Sequence, residues 1–403
     1  MYYAAQYGFA TVGTNNGHFG DTGVYFYNNN QVLQDFASRA LHTGVTVGKQ
    51  LTTQFYSQGY NKSYYLGCSS GGREGWKSIQ AYPNDFDGVV TGSPAFNFLN
   101  LVNWGARFLT ITGNSSAATF VTSDQWTTIH NEIIRQCDSL DGAADGIIED
   151  PDLCQPNFNT LLCNSTATSS SCITSIQLNT VNAIFSSLNA TNGTLLYPRM
   201  QPGSELAAAH IYYSGQPFPY AQDWFRYVVY SNPSWNPASW TINDALTADA
   251  QDPYSVSTYQ GDISAFQKKG KVLHYHGMED PIVTSESSEM FYNHVSNTMG
   301  LSSSQLDQFY RYFRISGMAH CQTADGAGSI GQGLGTFAGD DPQDNVLLAM
   351  VQWVEQGTAP DYVRGTKFNG TQVVYRRKHC KYPKRNEYVG PGNYTDENAW
   401  NCV

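Results

Sequence analysis

The sequence predicts an α/β fold with parallel strands, interrupted by a large inserted domain, and three observations carry that prediction. Short apolar or β-branched runs ended by glycine recur at residues 8–13, 63–67, 86–92 and 271–277, and a fifth apolar run stands at 309–315. Helical spacing fills several of the gaps between them. From about residue 95 to 265 both patterns give way to a texture rich in Asn, Ser, Thr, Trp and Tyr. The expected organisation is a discontinuous catalytic domain over 1–94 and 266–403, with a lid over 95–265.

Taken in order, Gly-Phe-Ala-Thr-Val-Gly at 8–13 and Ser-Tyr-Tyr-Leu-Gly at 63–67 read as buried strands. Between them Val32, Phe36, Ala40, Val45, Val47, Leu51 and Phe55 include helical spacings, which makes a strand–helix–strand unit. Glu74 to Tyr82 reads as a helix stopped by Pro83, and Phe86 to Gly92 as the next strand. Beyond the insertion, 271–277 and 309–315 are strands, and a helix runs from an Asp344 cap through Val346, Leu347, Met350, Val351 and Trp353 to Gly357. The Ser/Thr-rich stretch 160–172 reads as a glycosylated loop.

With 403 residues, 41% hydrophobic and 14% aromatic, the chain is long and apolar enough for a packed core. Lys+Arg 22 against Asp+Glu 33 gives a net charge of −11, which repels phosphate backbones and anionic lipid, so neither nucleic acid nor a membrane surface is expected as a partner. The longest apolar stretch, around Phe96 to Ile111, is broken by Asn97, Asn100, Asn103 and Arg107 and does not read as a membrane span. Eight cysteines accompany glycosylation sequons at Asn61, Asn114, Asn164, Asn189, Asn192, Asn369 and Asn393, which points to an oxidising, secretory route. Met1 to Tyr7 has neither a basic nor an apolar leader pattern, so the expected secreted protein carries no signal peptide in this chain.

Gly67-Cys68-Ser69-Ser70-Gly71 fits G-x-S-x-G and stands between a strand and a helix, where a sharp turn lifts a serine out at the carboxyl edge of a sheet. Ser69 is therefore the candidate nucleophile. It needs a base, and the base needs a carboxylate. In the chain order Ser, acid, His, the acid is Asp280 after the 271–277 strand, with Glu279 its rival, and the base is His320 in the turn Ser316 to Cys321. His274 and His276 lie inside a strand and read as core histidines. Cys68 precedes Ser69 and Cys321 follows His320, so a disulfide between them would tie the two catalytic turns together; the alternative is two unrelated buried thiols. Proximity suggests 137–154, 163–172 and 380–402 for the other cysteines. The acidic loop from Cys137 to Asp150 reads either as a calcium site or as a solvated turn. Gly326 to Gly331 matches G-x-G-x-x-G but joins no strand to a helix, so it reads as a surface loop without a nucleotide.

At these residues the sequence resembles the tannase and feruloyl esterase family of secreted ester hydrolases. The matching stretches are Gly67 to Arg73, Tyr82 to Pro94 (YPNDFDGVVTGSP), His276 to Val283 (HGMEDPIV), Gly317 to Cys321, and Trp353 to Pro360 (WVEQGTAP). The resemblance implies an α/β-hydrolase fold, a Ser69, Asp280 and His320 triad, and a Cys68–Cys321 bridge. It also implies a structural calcium ion held by the Asp138, Asp141 and Asp145 side chains and the Ala143 and Ile147 carbonyls. Ser70 N–H is the expected oxyanion donor. Family members begin upstream with strands and a glycine-rich stretch that supplies a second donor, so this chain reads as N-terminally short and its second donor is not identified. The implied reaction is hydrolysis of hydroxycinnamoyl (feruloyl) esters of plant cell-wall polysaccharides, with galloyl esters of tannins second. The lid aromatics Trp104, Phe108, Tyr212, Tyr213, Phe225, Tyr227 and Trp240 suit phenolic acyl groups and suit a lid core equally. The competing reading is a non-catalytic, calcium-dependent glycan-binding protein.

Overall fold

The computed structural model describes residues 1–164, 170–333, 336 and 338–403. Its central sheet is parallel and contains β1 (Tyr64–Cys68), β2 (Gly88–Gly92), β3 (Lys271–Gly277) and β4 (Tyr310–Ile315), in that spatial order. The main helices are α1 (Ala40–Tyr56), α2 (Ser70–Ala81) between β1 and β2, α3 (Phe98–Thr112) and α4 (Ser123–Cys137) in the insertion, α5 (Glu286–Met299) between β3 and β4, and α6 (Val346–Gln356).

Side chains of a strand alternate between faces, and here both faces are covered. Val89, Val272, Tyr310 and Tyr312 pack with Trp76 and Ile79 of α2 and with Phe291 and Val295 of α5. Val90, Leu273, Tyr275, Phe313 and Ile315 meet Val346, Met350 and Trp353 of α6 on the other side. This double burial explains why β2 and β3 read as unbroken apolar runs. Helix α6 ends at Gly357, whose φ of 75° closes the helix as expected, but its N-cap is Asn345 and not Asp344. The Asn345 side chain accepts from Leu347 and Leu348 N–H, while Asp344 is drawn away by a bidentate pair with Arg364.

Two further sequence expectations need correction. Residues 8–13 form no strand; they run beside the outer edge of β1, where a groove of about 730 Å³ is lined by Phe9, Val12, Tyr64 and Leu66 among others. Apolar composition makes a strand only where a neighbour offers its ladder of hydrogen bonds. Residues 326–331 are buried, not a surface loop. They pack on the antiparallel hairpin of β5 (Tyr362–Asn369) and β6 (Gln372–Cys380), with Ser329 and Thr366 exchanging backbone hydrogen bonds. The contact depends on glycine: a Cβ on Gly365 would stand 1.8 Å from the Ala327 carbonyl oxygen.

The insertion has its own core around Trp104, Phe108, Trp126, Tyr212, Tyr213, Trp224 and Phe225, which continues onto Phe26, Leu33 and Ala37 from the N-terminal segment. Trp104, Phe108, Tyr212, Tyr213, Phe225 and Trp240 are all buried in it and Tyr227 is half-buried, so these aromatics build the core of the insertion. Tyr212 also donates its hydroxyl to the Ile282 carbonyl at 2.9 Å, which couples the lid core to the loop after β3. Of the loop expected over 160–172, Leu162 pairs with Ile173 and the Cys163–Cys172 disulfide closes it; 165–169 lie outside the described residues.

Candidate active site

Ser69 links β1 to α2 with φ 64° and ψ −124°, a backbone region that costs a residue with a side chain about 1–3 kcal/mol. The turn is held by Ser69 N–H donating to Gly92 O at 2.9 Å, and by Ser69 O accepting from Arg73 N–H at 3.0 Å and Ala95 N–H at 3.2 Å. A Cβ at Gly67 would sit 2.6 Å from Tyr65 Oη, and one at Gly72 would sit 2.5 Å from Gly92 O; Gly71 has ordinary clearance. The elbow's tightest glycines are thus the second residue before the serine and the third after it. Arg73 is fully buried and donates to Phe36 O and Ala37 O, which anchors α2 against the segment leading into α1. Ser70 opens α2, so its N–H has no acceptor within the helix and is free for a developing oxyanion.

The acid and the imidazole come from the loops after β3 and β4, at the same carboxyl edge of the sheet as Ser69. Glu279 N–H donates to Met318 O at 3.0 Å, and Gly277 lets the loops close, since a Cβ there would lie 2.3 Å from that same oxygen. Asp280 is 1% exposed. Its Oδ1 accepts from Ile282 and Val283 N–H, each at 2.9 Å, and its Oδ2 lies 2.7 Å from His320 Nδ1. Because the carboxylate can only accept, the proton sits on Nδ1 and the Nε2 lone pair is left for a hydroxyl. Burial pushes the Asp280 pKa up, but the His320 charge and hydrogen bonds from His276 and His320 outweigh it and hold it well below the carboxylate range. A depressed acid stabilises the fold above its unfolded pKa, near about 4, and that contribution is lost as pH falls below it.

Glu279 behaves in the opposite way. Burial, reinforced by the charge of Asp325, pushes its pKa up to about 8. A raised acid holds its proton more tightly in the fold than in the unfolded chain, so it costs stability as pH rises from the ordinary carboxylate range toward about 8. Glu279→Gln should therefore raise the melting temperature more at pH 8 than at pH 5. Equal shifts at both pH values would contradict this.

All eight cysteines are paired, as Cys68–Cys321, Cys137–Cys154, Cys163–Cys172 and Cys380–Cys402. The first spans 253 residues with a Cα–Cα distance of 6.1 Å and staples the serine elbow to the histidine loop. Among the described residues Ser69 Oγ makes no hydrogen bond, so the disulfide is the covalent tie between its turn and the His320 loop. The chain-entropy model gives such a long loop about 5 kcal/mol. Cys68→Ala/Cys321→Ala is expected to lose about 10²-fold in kcat while retaining its far-UV circular dichroism, because small displacements weaken proton transfer even in a folded chain. Undiminished kcat in the double variant would remove the positioning role.

In the acidic loop, Asp138 Oδ1 accepts from Asp145 and Gly146 N–H, Asp141 Oδ1 from Ala143 N–H, and Asp145 Oδ1 from Ile147 N–H. Asp145 Oδ2 and Glu149 are held by the buried Arg377 of β6, which stacks on Trp400. Asp141 Oδ2 is buried without a partner, and burial, with repulsion from Glu149 and Asp145, pushes its pKa up to about 7. Among the described residues no three acidic, His or Cys side chains converge on one point, so a cation here would depend on backbone carbonyls as well.

Sequence reasoning missed one contact of the site: His276 Nε2 lies 3.2 Å from Asp280 Oδ2. His274 and His276 are indeed fully buried. Their i, i+2 spacing on β3 put both on one face, and the strand led straight to Asp280, so the signal was present.

Comparison with known proteins finds relatives along the whole chain. The profile of the family described as "Tannase and feruloyl esterase" matches residues 2–403. A probable feruloyl esterase B-1 of Aspergillus oryzae is 71% identical over all of this chain, which covers 75% of that protein, and a probable feruloyl esterase B-2 of Neosartorya fischeri is 58% identical, with 77% of it covered. The crystal structure of feruloyl esterase B from Aspergillus oryzae superposes on all of this chain with a TM-score of 0.98 at 70% identity, with 80% of that chain covered. A tannin acyl hydrolase from Aspergillus niger gives a TM-score of 0.75 at 22% identity over 92% of this chain and 70% of its own, a likeness of fold alone. A serine elbow, a buried carboxylate–imidazole pair and a disulfide joining their loops thus sit on a chain matched from end to end: it belongs to the tannase and feruloyl esterase family.

Proposed function

We propose that this chain hydrolyses feruloyl and related hydroxycinnamoyl esters of plant cell-wall polysaccharides through Ser69, His320 and Asp280. It is a carboxylic ester hydrolase of the feruloyl esterase kind. The observation that carries the mechanism is the 2.7 Å contact between His320 Nδ1 and Asp280 Oδ2 beside the disulfide-anchored serine elbow. Ser69 Oγ attacks the ester carbonyl while His320 Nε2 takes its proton, and Ser70 N–H receives the oxyanion. The protonated imidazole, stabilised by Asp280, then gives its proton to the departing alcohol oxygen. Water, activated by the same imidazole, releases the acid and restores the serine. Rates on methyl ferulate and methyl gallate test the substrate: the reading expects a higher kcat/KM on ferulate, as the names of the 71% and 58% identical relatives suggest, and a preference for gallate would reverse it.

The 138–147 loop is proposed to hold a structural calcium ion through Asp138, Asp141 and Asp145 and the Ala143 and Ile147 carbonyls. Support comes from the buried, unpartnered Asp141 Oδ2, a hard anionic donor suited to that cation. The ion would join the lid to the C-terminal hairpin through the Arg377 contacts of the same loop and take no part in the chemistry. A ligand that binds only the fold at about 100 times its Kd adds about 2.7 kcal/mol, so chelation should lower the melting temperature. No calcium in the undialysed protein, with melting unchanged on adding it, would leave only an acidic turn.

Secretion and glycosylation are proposed on related grounds. All seven sequon asparagines are exposed, four disulfides are formed, and among the described residues no helix is long and apolar enough to cross a membrane.

A further inference from the structure

Behind the catalytic carboxylate, four buried side chains form a continuous line. His276 Nε2 lies 2.8 Å from the Val283 carbonyl and 3.2 Å from Asp280 Oδ2, and His276 Nδ1 lies 2.6 Å from Ser288 Oγ. Ser288 Oγ lies 2.9 Å from His274 Nε2, and His274 Nδ1 lies 3.0 Å from Tyr310 Oη. His274, His276, Ser288 and Tyr310 all have 0% exposure.

One carbonyl sets every proton in this line. Val283 O can only accept, so His276 Nε2 carries hydrogen, and in a neutral ring Nδ1 must then accept from Ser288. The Ser288 oxygen is thereby available to accept from His274 Nε2, and His274 Nδ1 accepts from the Tyr310 hydroxyl. Burial, and then the neighbouring His276, drive the His274 pKa far down, which keeps that ring neutral. A cationic His276 would reverse the line and leave the Tyr310 hydrogen in the interior with no acceptor among the described residues, a costly arrangement.

We propose that His276, oriented by Ser288 and His274, is a positioning residue for the triad: its Nε2–H, donated to Val283 O and 3.2 Å from Asp280 Oδ2, steadies the carboxylate and moderates its pull on His320. The inference rests on the triad proposed above. All donors in the line run toward the Val283 carbonyl, with the Asp280 carboxylate 3.2 Å from the last nitrogen, so each bond polarises the next in the same sense. The line stabilises the carboxylate as an anion beside Oδ2, the same atom that His320 Nδ1 contacts. Other titratable groups facing this line include Tyr197 and Tyr212 from the insertion, Tyr292 from α5 and Tyr312 from β4, all driven up by burial and hence neutral.

His276→Phe keeps a ring but deletes the donor, whereas His276→Gln retains an amide N–H, and Ser288→Ala leaves His276 in place with its Nδ1 unpaired. The pH profile of kcat/KM on methyl ferulate reads the effect. Without the donor, Asp280 becomes more basic and holds the His320 proton more tightly, so the acid limb should move to higher pH. The expected order is His276→Phe, then Ser288→Ala, with His276→Gln nearest the wild type, and kcat should fall about tenfold or more in His276→Phe with KM little changed. A folded His276→Phe or Ser288→Ala variant with the wild-type acid limb and kcat would overturn the proposal, as would His276→Gln no better than His276→Phe. If His276→Phe does not fold, Ser288→Ala against His276→Gln decides. A serine-directed fluorophosphonate separates the two readings: a wild type whose Ser69 is unlabelled means that the triad has failed, whereas labelling with unshifted variants means that only the positioning role has failed.

Discussion

Ser69→Ala is expected to lower kcat on methyl ferulate by at least about 10⁴-fold while leaving the melting transition in place. The chemical loss is complete for the covalent route, since the hydroxyl next to it in the chain, on Ser70, belongs to the first residue of α2 and not to the strained position. The structural cost is small for two reasons. Ser69 is only half-buried, so removing Oγ opens no core cavity, and alanine bears the same Cβ that serine already holds at φ 64°. The backbone bonds to Gly92, Arg73 and Ala95 do not involve the side chain. Turnover near the wild-type rate by a folded Ser69→Ala protein would remove the nucleophile.

Asp280→Asn is expected to cost about 10⁴-fold in kcat, through the tautomer of His320 more than through lost charge. Ile282 and Val283 N–H must still be accepted, so the amide oxygen takes the Oδ1 place and the NH₂ group turns toward His320 Nδ1. Nδ1 then has to accept, the ring hydrogen moves to Nε2, and the imidazole points a proton at the serine that it should deprotonate. The same NH₂ group faces His276 Nε2, which is itself a donor, so the line behind the carboxylate is disturbed as well. Glu279→Gln touches none of these bonds and should retain activity within a few-fold. The reverse ranking would move the acid to Glu279.

Much of this was legible from the chain because the relevant residues obey local rules. β2 and β3 are buried on both faces and therefore read as apolar runs, and α2 begins where a glycine-flanked serine follows a strand. The order of Ser69, Asp280 and His320, each just beyond a strand, is a consequence of parallel topology, in which loops after strands gather at one edge. The cysteine pairing was anticipated because Cys68 and Cys321 adjoin catalytic candidates and the other six close short loops. What could not be read locally was set by partners distant in sequence. Residues 8–13 have strand composition but lie across a groove from the open edge of β1 and do not join its ladder. Residues 326–331 are buried only because Gly365, far along the chain, admits the Ala327 carbonyl. Asn345 outcompetes Asp344 as a cap because Arg364 claims the aspartate. The lid aromatics could have faced substrate or each other, and only packing decides for the core. The His276 to Tyr310 line joins β3, α5 and β4, and no single segment contains its pattern.

The most direct measurement of the central claim is peptide mapping after reaction with a fluorophosphonate, done on protein that hydrolyses methyl ferulate. The account predicts one adduct, on Ser69, lost together with activity in Ser69→Ala. An active protein whose adduct lies on any other residue, or which turns over methyl ferulate at full rate with Ser69 unmodified after exhaustive treatment, would contradict it.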